Sequence, residues 1–275
     1  MSGLASLATS SARSTRAHAN ASAIARPGDA RASLWFVGSL IAGAWFVAIL
    51  AQVTGNAQAL HHHALISSGG PPIWLAALLS LASWQVMIGA MMLPASLPAI
   101  RAVAQGASER AVAIAAFLGA YAIAWTAFGL AAFLGDAGLH AFVHANPWLA
   151  ERPQLIAAAI LGLAGAYQFV PGKHRALAAC RHPDDRVSIG SIESGTVPAG
   201  ARAGVRHAID CVASSWALML LMFAAGFANL LWMAILTAVM TYEALGRHGH
   251  RVAAAFGSVL LGLVVASVLG LVPGF

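Results

Sequence analysis

From Ser33 to Ala51, and again from Ala111 to Leu134, the chain runs without a charged side chain. As helices, such stretches cross roughly 30 Å of hydrocarbon, and a water-soluble domain has little use for them. Composition agrees, since 60% hydrophobic and 9% charged residues over a 275-residue chain are too few charges to cover a soluble surface. The expected fold class is all-α, a polytopic transmembrane helical bundle set in a lipid bilayer.

The formal net charge of +6 could point to nucleic acid, but its distribution argues otherwise. Fourteen of the fifteen Lys and Arg residues fall in four segments: the N-terminal tail, Arg101/Arg110, the stretch 173–206, and Arg247/Arg251. Only Arg152 lies in a segment of the opposite set. That alternation is the positive-inside pattern, so the basic excess reports orientation and no nucleic-acid partner is expected.

Residues 1–32, rich in Ala, Ser and Arg, read as a disordered basic cytoplasmic tail. The apolar run behind them is too long for a signal-peptide core and is taken as an uncleaved first span. Seven spans are predicted within a transmembrane domain 33–272, at about 33–53, 73–98, 111–134, 154–171, 207–225, 228–245 and 252–272. The N-terminus and a loop 172–206 are placed in the cytoplasm. As one helix, 208–245 would run roughly 57 Å, and a single straight span would leave Arg247 and Arg251 outside. A turn at Gly226–Asn229 keeps them inside, Gly and Asn being suited to tight turns; one broken helix is the alternative. Cys180 and Cys211 fall in or near the reducing compartment, where a disulfide is not expected.

Beyond Met1 there are seven methionines, and all lie on the second, fifth and sixth spans. In "SWQVMIGAMMLPASLP" (83–98), Met87 and Met91 share a helix face beside Met92, and Pro94 and Pro98 break the inner end. Cys211, Ser215, Met219 and Met222 follow a 4-4-3 step; Asn229, Met233, Met240 and Glu243 lie along one face. Methionine is ordinary packing for irregular gaps in apolar helices. It is also a thioether ligand selective for Cu(I), with Cys211 available as a thiolate at the inner end of such a path. "SWQVMIGAM" further resembles "SWALMLLMF" (215–223), a short match that would fit an inverted repeat.

Ionisable groups inside membrane segments usually have a purpose. Asp210 and Glu243 are two, both near the inner boundary, and Glu243 could equally be an interfacial partner of Arg247. Gln85, Gln168 and Asn229 are candidate interhelical hydrogen-bonding groups. On the outer side stand His61, His62 and His63, contiguous in a loop, and His140 and His144, whose i, i+4 spacing puts them on one helical face; such groups collect Cu or Zn. No HExxH, CxxC pair, phosphate-binding loop or nucleophile–base pair occurs, so no catalytic residue and no enzymatic activity is expected.

Three stretches carry a resemblance: "WQVMIGAMMLPASLP" (84–98), "GAYQFVPGKHRALAACRHP" (165–183) and "GVRHAIDCVASSWALMLLMFAAGFANLLWMAILTAVMTYEAL" (204–245). Together they resemble a bacterial family of predicted metal-binding integral membrane proteins of unknown function. The resemblance draws attention to Trp84, Met87, Met91, Met92, Pro94, Tyr167, Gln168, Cys180, Arg181, Cys211, Trp216, Met219, Asn229, Trp232, Met233 and Glu243. It is imperfect. Where the family pattern carries a further Cys before its Cys-Arg pair and a Cys-Cys before its Trp, this chain has Ala176–Ala179 and Ser214–Ser215. Ala228 stands in place of a Met and Ala244 in place of a Lys. A site built mainly of thiolates is correspondingly weakened.

The resulting expectation is a metal-handling protein of a bacterial inner membrane, most plausibly for copper. Its Met-rich site would lie between the second, fifth and sixth spans, with Cu(I) favoured, Zn or Cu(II) as alternatives, and no organic cofactor. Its partners would be a metal donor or acceptor protein. Two other functions fit the same sequence: a structural or assembly subunit of a membrane complex, whose methionines pack on partner helices, and a secondary transporter of a small solute with Asp210 or Glu243 as proton site.

Overall fold

A computed structural model describes residues 27–55, 71–107, 109–181, 196–225 and 229–269. These residues form ten helices and no strand: α1 Pro27–Val53, α2 Ile73–Met91, α3 Leu93–Gly106, α4 Arg110–Ala145, α5 Pro147–Ala150, α6 Pro153–Tyr167, α7 Pro171–Arg181, α8 Thr196–Ala225, α9 Leu230–Leu245 and α10 Gly249–Val268. The all-helical expectation holds. Five helices are long and apolar enough to cross a membrane, six if α6 and α7, bent by 62° at their break, count as one span. Seven were expected. The difference lies in α9, whose 16 residues span only about 24 Å at 1.5 Å each.

Helix boundaries differ from the sequence reading at several points. α1 begins at Pro27, inside the stretch expected to be disordered; a first-turn proline loses no hydrogen bond and has φ preset for a helix. α3 continues through Arg101 to Gly106, where a loop was expected. α4 runs on to Ala145, so His140 and His144 sit on its last turns and not in a loop. The ends of the expected loop 172–206 are helical, as α7 and the first turns of α8. The break expected at Gly226–Asn229 is present: α8 ends at Ala225 and α9 begins at Leu230. Asn229 Oδ1 accepts from Trp232 N at 3.2 Å, an N-cap in place of the interhelical bond anticipated for this side chain.

α8 is the centre of the bundle, 56% of its apolar stretch being buried, against 6% for α1. Its closest approach is to α4. A Cβ on Gly204 would strike the Phe117 carbonyl oxygen, and one on Gly200 would lie 2.5 Å from that of Ala113. Small residues four apart are what let two helix backbones meet in this way. Outside, large apolar side chains such as Trp35, Phe46, Ile123, Leu231 and Val259 face away from the core.

The α2–α3 break follows from Pro94. Proline has no N–H to offer the carbonyl four residues back, and that carbonyl, Ala90 O, accepts instead from Trp45 Nε1 of α1 at 3.1 Å. Gln85 Nε2 bonds Thr126 Oγ1 at 2.6 Å and Ala122 O at 3.2 Å, tying α2 to α4 as anticipated. Trp84 Nε1 donates to Trp125 O at 2.9 Å. Gln168, also expected to bond between helices, is fully buried with neither amide atom partnered among the described residues.

Candidate functional site

The α2–α3 break places Met92 at the seam, as C-cap of one helix and N-cap of the next. Facing it across the core, α8 presents His207, Cys211, Ser214 and Ser215, spaced i, i+4, i+7, i+8 along one stripe. α9 adds Met240, Glu243 and Ala244; α7 adds Leu177 and Cys180. These residues and Ala95 line a small cavity of about 20 Å³, room for one water-sized species. Every sulfur, nitrogen and oxygen donor named here belongs to a buried residue.

Cys211 Sγ lies 3.9 Å from Met92 Sδ. A metal ion roughly 2.3 Å from each, the usual metal–thiolate scale, would see them about 115° apart, a trigonal angle. Ser215 Oγ lies 3.8 Å from the same thioether and bonds Cys211 O at 2.7 Å. Behind the thiol runs a chain of polar contacts: Tyr121 OH to Cys211 Sγ at 3.2 Å, Ser96 Oγ to Tyr121 OH at 3.3 Å, and His207 Nε2 to Ser96 Oγ at 3.0 Å. The His207 ring also stacks on Tyr121, centroids 5.8 Å apart. Cys180 and Cys211 are both buried, and no disulfide joins them.

The carboxylate wall is built differently from the expectation. Glu243 is 2% exposed, and its Oε2 pairs with Lys173 Nζ at 2.6 Å, not with Arg247. α7 folds back after the bend and brings Lys173 inside, whereas Arg247 lies past the end of α9 and is exposed. Glu243 Oε1 has no partner among the described residues. Arg181 donates through Nε and Nη2 to the Glu243 carbonyl oxygen, a cation at the negative end of α9.

Of the expected metal-ligating residues, Met92, Cys211 and Glu243 meet at this cavity. Met87, Met91, Met219, Met222 and Met233 are buried in the surrounding core and do not form its wall. His140 and His144 are on α4 with ring centroids 6.4 Å apart, and His140 Nδ1 is 3.8 Å from Asp136 Oδ1. They lie roughly 28 and 34 Å along the helix from Tyr121 at 1.5 Å per residue. His61, His62 and His63 lie outside the described residues. Among those described, no three of His, Cys, Asp and Glu group closely enough to hold a metal ion. What is assembled is a sulfur pair with one imidazole and one carboxylate nearby.

The remaining motif residues support this wall. Tyr167 OH donates to Ala213 O at 2.5 Å, and its ring meets Trp216 edge-on at 4.9 Å, fastening the α6 end to α8. Sequence reasoning missed Tyr121, Ser96, His207 and Lys173. His207 carried a usable signal, four residues before Cys211, as did Ser96, four after Met92. Tyr121 and Lys173 gave none, because long-range packing brings them in.

A family model described as PpoB2, copper chaperone, matches residues 81–267. The match covers α3 through α9 entire and nearly all of α10, and so includes every residue of the cavity wall. It supports the metal-related side of the expected kinship. No curated protein matches the chain. No solved structure matches it either.

Proposed function

The chain belongs to the PpoB2 copper-chaperone family, and from that premise we propose that it is an integral membrane protein that binds one Cu(I) ion as cargo in the cavity between α3, α7, α8 and α9. Cys211, as thiolate, and Met92 are the ligands, with Met240 as the nearest further thioether. The observation that carries this reading is the 3.9 Å separation of Cys211 Sγ and Met92 Sδ at a small cavity lined by buried residues. Thioether is a ligand for soft Cu(I); thiolate also takes Zn(II), but Zn(II) sites are built from three or four Cys, His or carboxylate ligands, and the described residues assemble no such group.

The protein holds and hands over the ion without catalysing a reaction, so it needs a partner that accepts copper. Met87, Met91, Met219, Met222 and Met233 serve as polarizable packing around the site. The apolar exterior and alternating basic segments support a multi-pass position in a bacterial inner membrane, cavity toward the basic side.

The test is a Cu(I) titration of the detergent-solubilised chain against a chromophoric Cu(I) chelator, without oxygen. One ion per chain is expected, with affinity reduced roughly 100-fold or more in Cys211→Ser and Met92→Leu and unchanged in Met87→Leu and Met219→Leu. Full retention of binding in the Cys211→Ser/Met92→Leu double variant would sink the assignment.

A further inference from the structure

α7 shows two different faces. Leu177 and Cys180 line the cavity and Lys173 is buried against Glu243, whereas Arg175, between them in sequence, is exposed. At its C-terminal end the helix meets the turn from α9 into α10. Arg181 donates to the Glu243 carbonyl oxygen, and a Cβ on Gly249 would strike its guanidinium. His174 and His250 lie within electrostatic reach of each other across the same junction. Arg247 and Arg251, on either side of Gly249, are both exposed. Cys180 and Ala244, cavity residues on the two elements, are one and three positions from Arg181 and Arg247.

This surface has one sign. α7, α9, the turn and α10 carry a single acidic side chain between them, Glu243, and it is buried against Lys173. Arg175, Arg247 and Arg251 make no ion pair among the described residues. A guanidinium keeps its charge in any protein setting, so the surface is positive whatever the state of its histidines. An ordinary soluble surface intersperses both signs, whereas a field of one sign steers a partner of the other. The positive-inside bias accounts for basic side chains at this end of the bundle. It does not account for their converging from two elements on the outer side of the cavity wall.

Resting on the reading that the cavity takes Cu(I), we propose that Arg175, Arg181, Arg247 and Arg251 form the docking surface for the protein that accepts the ion, and that this partner presents an acidic face. A helix with its side chains is about 10–12 Å across, so α7 alone separates the docked partner from the cavity. The exposed large side chains of α1 and α4 are apolar, which leaves the α7 side as the charged approach for a water-soluble acceptor. Arg181 is held in place by its bonds to α9, so part of the surface is ordered before a partner arrives. Handover is ligand exchange: the Cu–S bonds to Cys211 and Met92 break as bonds to the acceptor form, and no electron moves. The arginines do not touch the ion, and they set the rate of handover without setting affinity.

The probes are two synthetic peptides that share one Cys-x-x-Cys Cu(I) sequence, flanked by glutamates in one and by lysines in the other. Transfer from the Cu(I)-loaded full chain in neutral detergent is followed without oxygen. At low ionic strength the acidic peptide is expected to receive the ion roughly tenfold faster or more, and added salt should close the gap. Arg175→Glu/Arg247→Glu/Arg251→Glu is expected to invert the preference while the equilibrium Cu(I) affinity stays as in the wild type. The same triple change to Gln should abolish the preference without inverting it.

If the Glu variant fails to fold, the Gln variant decides the matter alone. Equal rates for the two peptides from the wild type, or a preference that survives in a folded triple variant, overturns the proposal. So does an equilibrium affinity that falls along with the rate, which would make these arginines part of the site. Lipid extracted from the same preparations is the last arm. Anionic phospholipid retained by the wild type and absent from the Glu variant would give the surface to headgroups and overturn the proposal as well. In all these cases the wild-type chain still binds Cu(I). A wild-type chain that binds no Cu(I) would instead bring down the copper reading itself.

Discussion

α4 joins two places where side chains of metal-ligating types gather, and they are built on opposite plans. At its N-terminal half, Tyr121 backs a small pocket whose buried donors come from different helices and are fixed by packing and hydrogen bonds. At its C-terminal end, His140 and His144 are neighbours on one helix, and His144 is exposed. The first arrangement has its ordering cost met by folding. The second must gather its ligands from water for each ion. Residues of the same ligating types thus differ most in the packing around them.

The largest effect expected from breaking this contrast is structural. Gly204→Leu drives a side chain into the Phe117 backbone, where α4 and α8 touch, and should destabilise the bundle by about 3 kcal/mol or more. Thermal unfolding in detergent measures this, and an unshifted midpoint would mean that the cavity end is not held by this approach. Next comes Tyr121→Phe, which removes the hydroxyl beside Cys211 and nothing else. Cu(I) affinity should fall roughly tenfold, as for other second-layer partners of a metal ligand, with little change in unfolding.

At the other end the effects are small. His140→Ala with His144→Ala should leave Cu(I) binding at the cavity unchanged; a loss of about tenfold would show the two ends to be coupled. Smallest of all is Gly138→Ala, where an added Cβ meets nothing within 4 Å. A gain of ~0.5–1 kcal/mol is expected, from the higher helix propensity of alanine. Gly204 and Gly138 together test whether tight packing belongs to the cavity end alone.

The stripe Cys211, Ser215, Met219, Met222 was legible from spacing, and all four are buried. So was the break near 226–229, because Gly and Asn advertise a turn and a cap. Helix ends were less so: α3 was missed because Pro98 reads as a stop, although a helix begun at Leu93 carries it in its second turn. The partner of Glu243 went to Arg247 on local spacing, four residues on, whereas the structure pairs it with Lys173, 70 positions away. Local periodicity identifies faces, but it cannot say which distant face arrives opposite. For the same reason the seven methionines looked alike in sequence, and only Met92 and Met240 reach the cavity wall.

The Trp45 indole bond to Ala90 O bears on what part of this chain can stand alone. The family match starts at residue 81, leaving α1 outside it. A chain trimmed to the matched region would keep Met92, Cys211 and the whole cavity wall. It would also strip the donor from a carbonyl that Pro94 has already deprived of its helical partner. A buried carbonyl left unsatisfied costs about 1–3 kcal/mol, and Ala90 is buried, two residues from the proposed copper ligand. The matched region is therefore smaller than the unit of folding, and α1, the least buried of the long apolar helices, is a structural element of the seam that positions Met92.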